Sequence, residues 1–152
     1  MRRRQLLLLA LAGLAGCSVP HWPVDGLVTS PFGLRREGLI GFDIHRGVAI
    51  AVPAGTPVRA MAPGVVAFAG TMNGYGRVII LDHGQGVRTL YGHLSELRVS
   101  AGEEIAGRSV IALSGSTGNT TGQHLHFEVV RRGRAEDPVP LLGGFPRPAQ
   151  AP

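Results

Sequence analysis

"YGRVIILDHGQGVRTLYGHLS", Tyr75 to Ser95, decides the architecture. Two apolar runs rich in β-branched residues, "GRVIILDHG" and "VRTLYGHL", meet at a glycine-rich break, which is the pattern of a β-hairpin. Glycine and proline punctuate the chain on both sides of it. "PVRAMA", "GVVAFAG", "SVIALSG" and "HLHFEVVRRG" read as further short strands. Their Val and Ile content suits pleated surfaces. The expectation is a mainly β fold, an antiparallel β-sheet or β-sandwich, in which "HLSELRV" alone has room for a short helical turn. The 23 Gly and 11 Pro agree with many strands joined by tight turns, and 44% hydrophobic against 16% charged residues describes a globular chain. At 152 residues there is enough chain for one domain with a core.

Two segments echo each other. "AGTPVRAMAPGVVAFAG" (Ala54 to Gly70) and "AGEEIAGRSVIALSG" (Ala101 to Gly115) share an Ala-Gly start, a β-branched residue and a V-[VI]-A-[FL]-[AS]-G strand. Two copies suggest related hairpins over one core rather than a solenoid. Lipoyl and biotinyl carriers also pair hairpins, but they need a lysine, and all 15 basic residues here are Arg.

The first residues read as a targeting segment. "MRRR" is a positive start and "QLLLLALAGLAG" an apolar run too short to span a bilayer. "LAGC", Leu14 to Cys17, resembles a bacterial lipobox, and it holds the chain's single cysteine. The expected organisation is a signal peptide over 1–16, a lipidated tether over 17–26 beginning at Cys17, a domain over 27–145 and a short tail over 146–152. Ser18 after the cysteine fits a lipid anchor on the periplasmic face of the outer membrane. No disulfide is expected. The formal charge of +5 falls to +2 without Arg2, Arg3 and Arg4. No basic stripe interleaved with aromatics appears, so nucleic acid is not an expected partner. "RRGR", Arg131 to Arg134, reads as a solvated hairpin turn.

Six histidines carry the chemistry. His21 falls in the tether and His83 in the turn "LDHGQGV", where a structural role is expected. In "HLHFE", alternation puts His124, His126 and Glu128 on one strand face. His93 ends the strand of "YGHLS", and His45 opens "HRG". Imidazoles at several strand ends, beside the Gly-rich "SGSTGNTTGQ", can converge on a metal or a substrate.

The order "SPFGLR … HRGVAIAVPAGTPVRAMAPGVV … YGRVIILDHGQGVRTLYGHLS … GSTGNTTGQHLHFEV … DPVPLL" resembles the lysostaphin/LytM-type zinc peptidases that act on peptidoglycan. The likeness runs from about Thr29 to Leu142. It implies the groove-bearing β fold of the LytM (duplicated-hybrid-motif) type and a zinc ion. It implies that His45 and His126 are metal ligands and that His93 and His124 flank the catalytic water. It implies peptidoglycan stem peptides as substrate.

One position departs from the pattern: Ala49 stands where the family has a ligand aspartate. Four extended residues span roughly 13 Å, so His45 and residue 49 share an ion only if the chain bends, and Gly47 is expected to permit that bend. Three outcomes stay open. A second water completes a weaker two-histidine site. Asp43, on the same strand face as His45 at roughly 6 to 7 Å, substitutes for the aspartate. Or the metal site is lost, and the protein is a degenerate LytM domain that binds the wall or activates a separate cell-wall amidase.

Overall fold

Seven strands lie side by side, each antiparallel to the next. They are β1 (Leu27–Ser30), β4 (Val48–Ala51), β11 (Leu125–Arg131), β8 (Val87–Leu97), β7 (Gly76–Asp82), β6 (Gly64–Met72) and β9 (Glu104–Ile105). β10 (Val110–Ser114) joins this sheet through β8 and carries β5 (Pro57–Arg59) on its other side. β12 (Arg134–Glu136) folds back on β11. A separate two-stranded ribbon pairs β2 (Gly33–Glu37) with β3 (Gly41–His45). This is a computed structural model describing residues 19–37 and 39–149; Cys17 and the signal segment before it lie outside the described residues.

The Tyr75–Ser95 reading holds. β7 and β8 form a hairpin whose turn carries Gly84, Gln85 and Gly86 at positive φ. "HLSELRV" is not helical. Its first five residues extend β8 to Leu97, because Leu94, Glu96 and Leu97 pair with β10. Among the described residues the helix lies elsewhere: α1 (Pro138–Leu141) is a single turn capped by the Asp137 carboxylate, which accepts from the Val139 N–H. "RRGR" makes the β11–β12 turn, with Arg132 and Gly133 both at positive φ as a type I′ turn requires.

The sequence echo has a structural meaning. The two copies exchange strands: β5 of the first pairs with β10 of the second, and β6 of the first with β9 of the second. Each Ala-Gly turn is tied to the other copy, with the Gly55 N–H donating to Ser114 O and the Gly102 N–H to Val66 O.

The core lies between these strands. Ile50, Val58, Val66, Ile79, Leu81, Tyr91, Leu94, Ile111, Leu125 and Phe127 are buried in one cluster. Buried Tyr91 keeps its hydroxyl satisfied by the Met61 N–H and by Thr89. The packed chain starts before Leu27, since Val24 belongs to the core and Trp22 packs on Phe127 at 6.1 Å between ring centroids.

Candidate metal centre

Strand pairing places the four histidines. β11 sits between β4 and β8, with His126 opposite Ala49 on one side and Gly92 on the other. His45 ends β3 just before β4. Gly47, between them, sits at the expected bend, and it also answers a need for space. A Cβ there would stand 2.2 Å from the Phe127 carbonyl oxygen, so only glycine lets the chain pass this close to β11. His93 sits on a bulge in β8. Tyr91 pairs with Ile79 and Leu94 with Arg77, so Gly92 and His93 together face one residue, Val78. His93 takes φ 58°, and its N–H donates to the Tyr75 carbonyl at 2.8 Å. That left-handed conformation turns the ring into the groove, and an enforced αL side chain is typical of a functional position.

The rings meet. Centroids are 5.1 Å apart for His45 and His126, 4.7 Å for His93 and His124, and 5.9 Å for His93 and His126. They line one cavity of about 620 Å³ together with Ser30, Tyr75 and Ala49.

Hydrogen bonds to the outer ring atoms fix which nitrogens face inward. His45 Nδ1 donates to Pro31 O at 2.9 Å, so its Nε2 carries the lone pair. His126 Nε2 donates to the Glu128 carboxylate at 2.8 Å, so its Nδ1 carries one. These two bare nitrogens face each other at 3.3 Å. Two lone pairs at that distance repel unless a cation lies between them. Nitrogens each ~2.0–2.1 Å from a tetrahedral zinc are about 3.3–3.4 Å apart, so the pair fits the ion. His93 Nδ1 donates to Thr117 O at 2.7 Å and His124 Nδ1 to Gly122 O at 3.1 Å, which leaves both Nε2 atoms free to take a proton.

Burial holds the imidazoles of His45, His93 and His124 below their usual pKa, partly offset by the hydrogen bonds to carbonyls. They are neutral at pH 7, the form that binds metal and accepts protons. For Glu128, burial pushes the carboxyl up, but the bonds from His126 and Tyr75 outweigh it and the net shift is downward. Tyr75 donates to Glu128 at 2.7 Å, and burial followed by that bond raises the phenol to about 12.

The expected site residues divide. His45, His93, His124 and His126 come together. Asp43 does not join them: its carboxylate pairs with Arg35 at 2.9 Å. Ala49 lines the cavity opposite His126, so no carboxylate completes the pair. Among the described residues no three His, Cys, Asp or Glu side chains gather to hold an ion. His83 bridges Pro63 O and the Thr89 hydroxyl. Sequence reasoning missed Tyr75 and Pro31. Nothing in "GYG" or "SPF" marks them, because topology alone brings them to the rings.

A family model described as peptidase family M23 matches residues 43–138. The chain belongs to peptidase family M23. Its fold is accordingly the antiparallel β fold of LytM and lysostaphin. A DD-carboxypeptidase/endopeptidase, Mpg, of Neisseria meningitidis serogroup B is 42% identical over 82% of this chain and 29% of its own length. The murein hydrolase activator EnvC of Escherichia coli K12 is 37% identical over 80% of this chain and 28% of its own. The chain thus spans under a third of either relative. A zinc-containing peptidase from Vibrio cholerae superposes with a TM-score of 0.71 and 31% identity, covering 82% of this chain and 38% of that one.

Proposed function

We propose that this M23 domain is a lipid-anchored murein metalloendopeptidase that hydrolyses peptide cross-links of peptidoglycan, with its metal affinity reduced by Ala49. The observation that carries the reading is the bare pair, His45 Nε2 and His126 Nδ1, at 3.3 Å in a cavity shared with His93 and His124. His45 and His126 would hold the zinc. Lewis acidity is the chemistry such an ion supplies, lowering the pKa of water and polarising an acyl carbonyl.

The other steps belong to the chain. Neutral His93 and His124 each present a free Nε2. One accepts the proton of the attacking water, and the protonated ring then donates to the oxyanion or to the departing amine. Glu128 and Tyr75 hold His126 in the tautomer that exposes Nδ1. The walls of the groove would seat a stem peptide.

The anchor rests on the lipobox-like "LAGC" ending at Cys17, and places the domain in the cell envelope, on the periplasmic face of the outer membrane. The test is zinc content of the metal-reconstituted protein together with release of soluble muropeptides from purified peptidoglycan. Zinc near one equivalent with muropeptide release supports the peptidase. A protein that takes up no zinc and releases none sinks it.

A second reading has its own support. Ala49 removes the one anionic ligand, and EnvC, a similar chain, is described as an activator. On this reading the groove binds the wall or a cell-wall amidase without cutting. Stimulation of an amidase by a zinc-free preparation would favour it.

A further inference from the structure

Away from the histidines, a second cavity of about 540 Å³ is lined by Arg59, Arg108 and Arg147 together with Pro20, His21 and Trp22. It shares no lining residue with the histidine groove. The three guanidinium groups come from β5, from the turn before β10 and from the C-terminal segment. Arg59 is tied to its neighbour, its Nη1 donating to Arg108 O at 3.0 Å. Among the described residues none of the three forms an ion pair with a carboxylate, although Asp25 also lines the cavity. All three are exposed, and cationic side chains that line one cavity without carboxylate partners suit an anion.

An apolar cavity of about 570 Å³ adjoins it. Phe145 lines both, and Leu27, Val28 and Pro146 continue the apolar one. Leu27 and Phe145 are 71% and 70% exposed, which is costly for large apolar side chains with no partner. A basic hollow meeting an apolar one matches an amphiphile with an anionic head.

The chain's course says which amphiphile. Pro20 lines the basic cavity, three residues after Cys17. Three residues reach at most about 10 Å. Any lipid on Cys17 would therefore keep this cavity close to the bilayer surface. We propose that the paired cavities seat an anionic phospholipid of that membrane. Its phosphate lies among Arg59, Arg108 and Arg147, and an acyl chain lies along Leu27, Val28 and Phe145. Guanidinium forks suit phosphate oxygens. The proposal rests on the lipid-anchored part of the proposed function. It adds that the domain is fixed in orientation on the membrane and not merely tethered.

Trp22 is the single tryptophan and lines the basic cavity, so its emission reads occupancy directly. The experiment titrates the mature protein, acylated at Cys17, with vesicles of phosphatidylcholine alone, and with equal parts phosphatidylcholine and phosphatidylglycerol. Flotation with the neutral vesicles reads the anchor; the Trp22 difference between the two compositions reads the cavity. Three arginines at the surface should make the Trp22 response to anionic vesicles roughly 100-fold more sensitive than to neutral ones. The combined variant Arg59→Gln, Arg108→Gln and Arg147→Gln should lose that preference. The corresponding triple Lys variant should keep most of it, which separates lost charge from lost folding. An equal response to both vesicles, or an unchanged preference in the Gln variant, overturns the proposal. So does inorganic phosphate producing the same emission change at matching concentration, since that would mark a free-anion site. A preference for anionic vesicles without flotation on neutral ones would support the cavity and sink the anchor instead.

Discussion

At position 49 a methyl group faces His126 across the β4–β11 pair, and directly opposed residues on antiparallel strands have Cβ atoms only about 4.5–5.5 Å apart. A carboxylate there would enter the cavity that Ala49 lines together with His45 and His126. Ala49→Asp should raise zinc affinity at least 10-fold by calorimetry and should raise muropeptide release with it; no gain in affinity would mean the ion, if bound, sits elsewhere. Glu128 acts one step out. Glu128→Gln keeps the size but weakens the acceptor that fixes the His126 tautomer, and losing such partners costs about 10- to 100-fold in metal affinity. Zinc titration of that variant should fall in this range, with secondary structure unchanged. How legible these residues are depends on how local their signal is. His124 and His126 declare themselves through strand alternation, and Ala49 through its place after "HRGV". Tyr75 and Pro31 carry no local signal, since each meets its histidine only after distant strands pair. Asp43 misleads for the same reason: its strand face is read correctly, but not the Arg35 that β2 brings to it.

Two elements hold strain or tight contact for the sake of the groove. The β8 bulge keeps His93 left-handed, a conformation costing an L-residue roughly 1–2 kcal/mol. His93→Gly should therefore leave the fold as stable as before or about 1 kcal/mol more so by urea unfolding, while muropeptide release disappears. A clear loss of stability would mean the ring holds the sheet together. The β3–β4 junction works through proximity. Gly47→Ala drives a methyl into the Phe127 carbonyl, backbone that cannot swing aside, so β4 must move from β11. The expected cost is about 1–3 kcal/mol, the range for overpacking, with weaker zinc binding because His45 shifts too. The β7–β8 hairpin could be read from sequence because its turn chemistry is local. The extension of β8 to Leu97 could not, since β10 supplies the pairing that overrides the helical pattern of "HLSELRV".

For the whole molecule, the sequence echo indicates two related hairpins but not that they exchange strands; that exchange is settled only by packing both copies over one core. The same convergence that builds the groove buries ionisable rings, and this makes stability depend on pH. Burial lowers the pKa of His45, His93 and His124 in the fold, whereas in the unfolded chain they titrate near ~6.5. Between the lowered values and ~6.5 the unfolded chain binds more protons, so stability rises with pH through that window. It is fully present above ~6.5 and is lost as pH falls through the folded values. Glu128 and Asp82, both shifted downward, add their losses only in more acidic solution. In the presence of a chelator, the urea midpoint should thus fall between pH 7.5 and pH 5, and His124→Asn should flatten the slope by removing one titrating ring. Zinc should steepen it. An ion at 100 times its dissociation constant stabilises by about 2.7 kcal/mol, and protons compete with it at His45, so the gain should be large at pH 7.5 and smaller at pH 5. A zinc-dependent gain that is equal at the two pH values would mean that the ion binds something other than the imidazole pair.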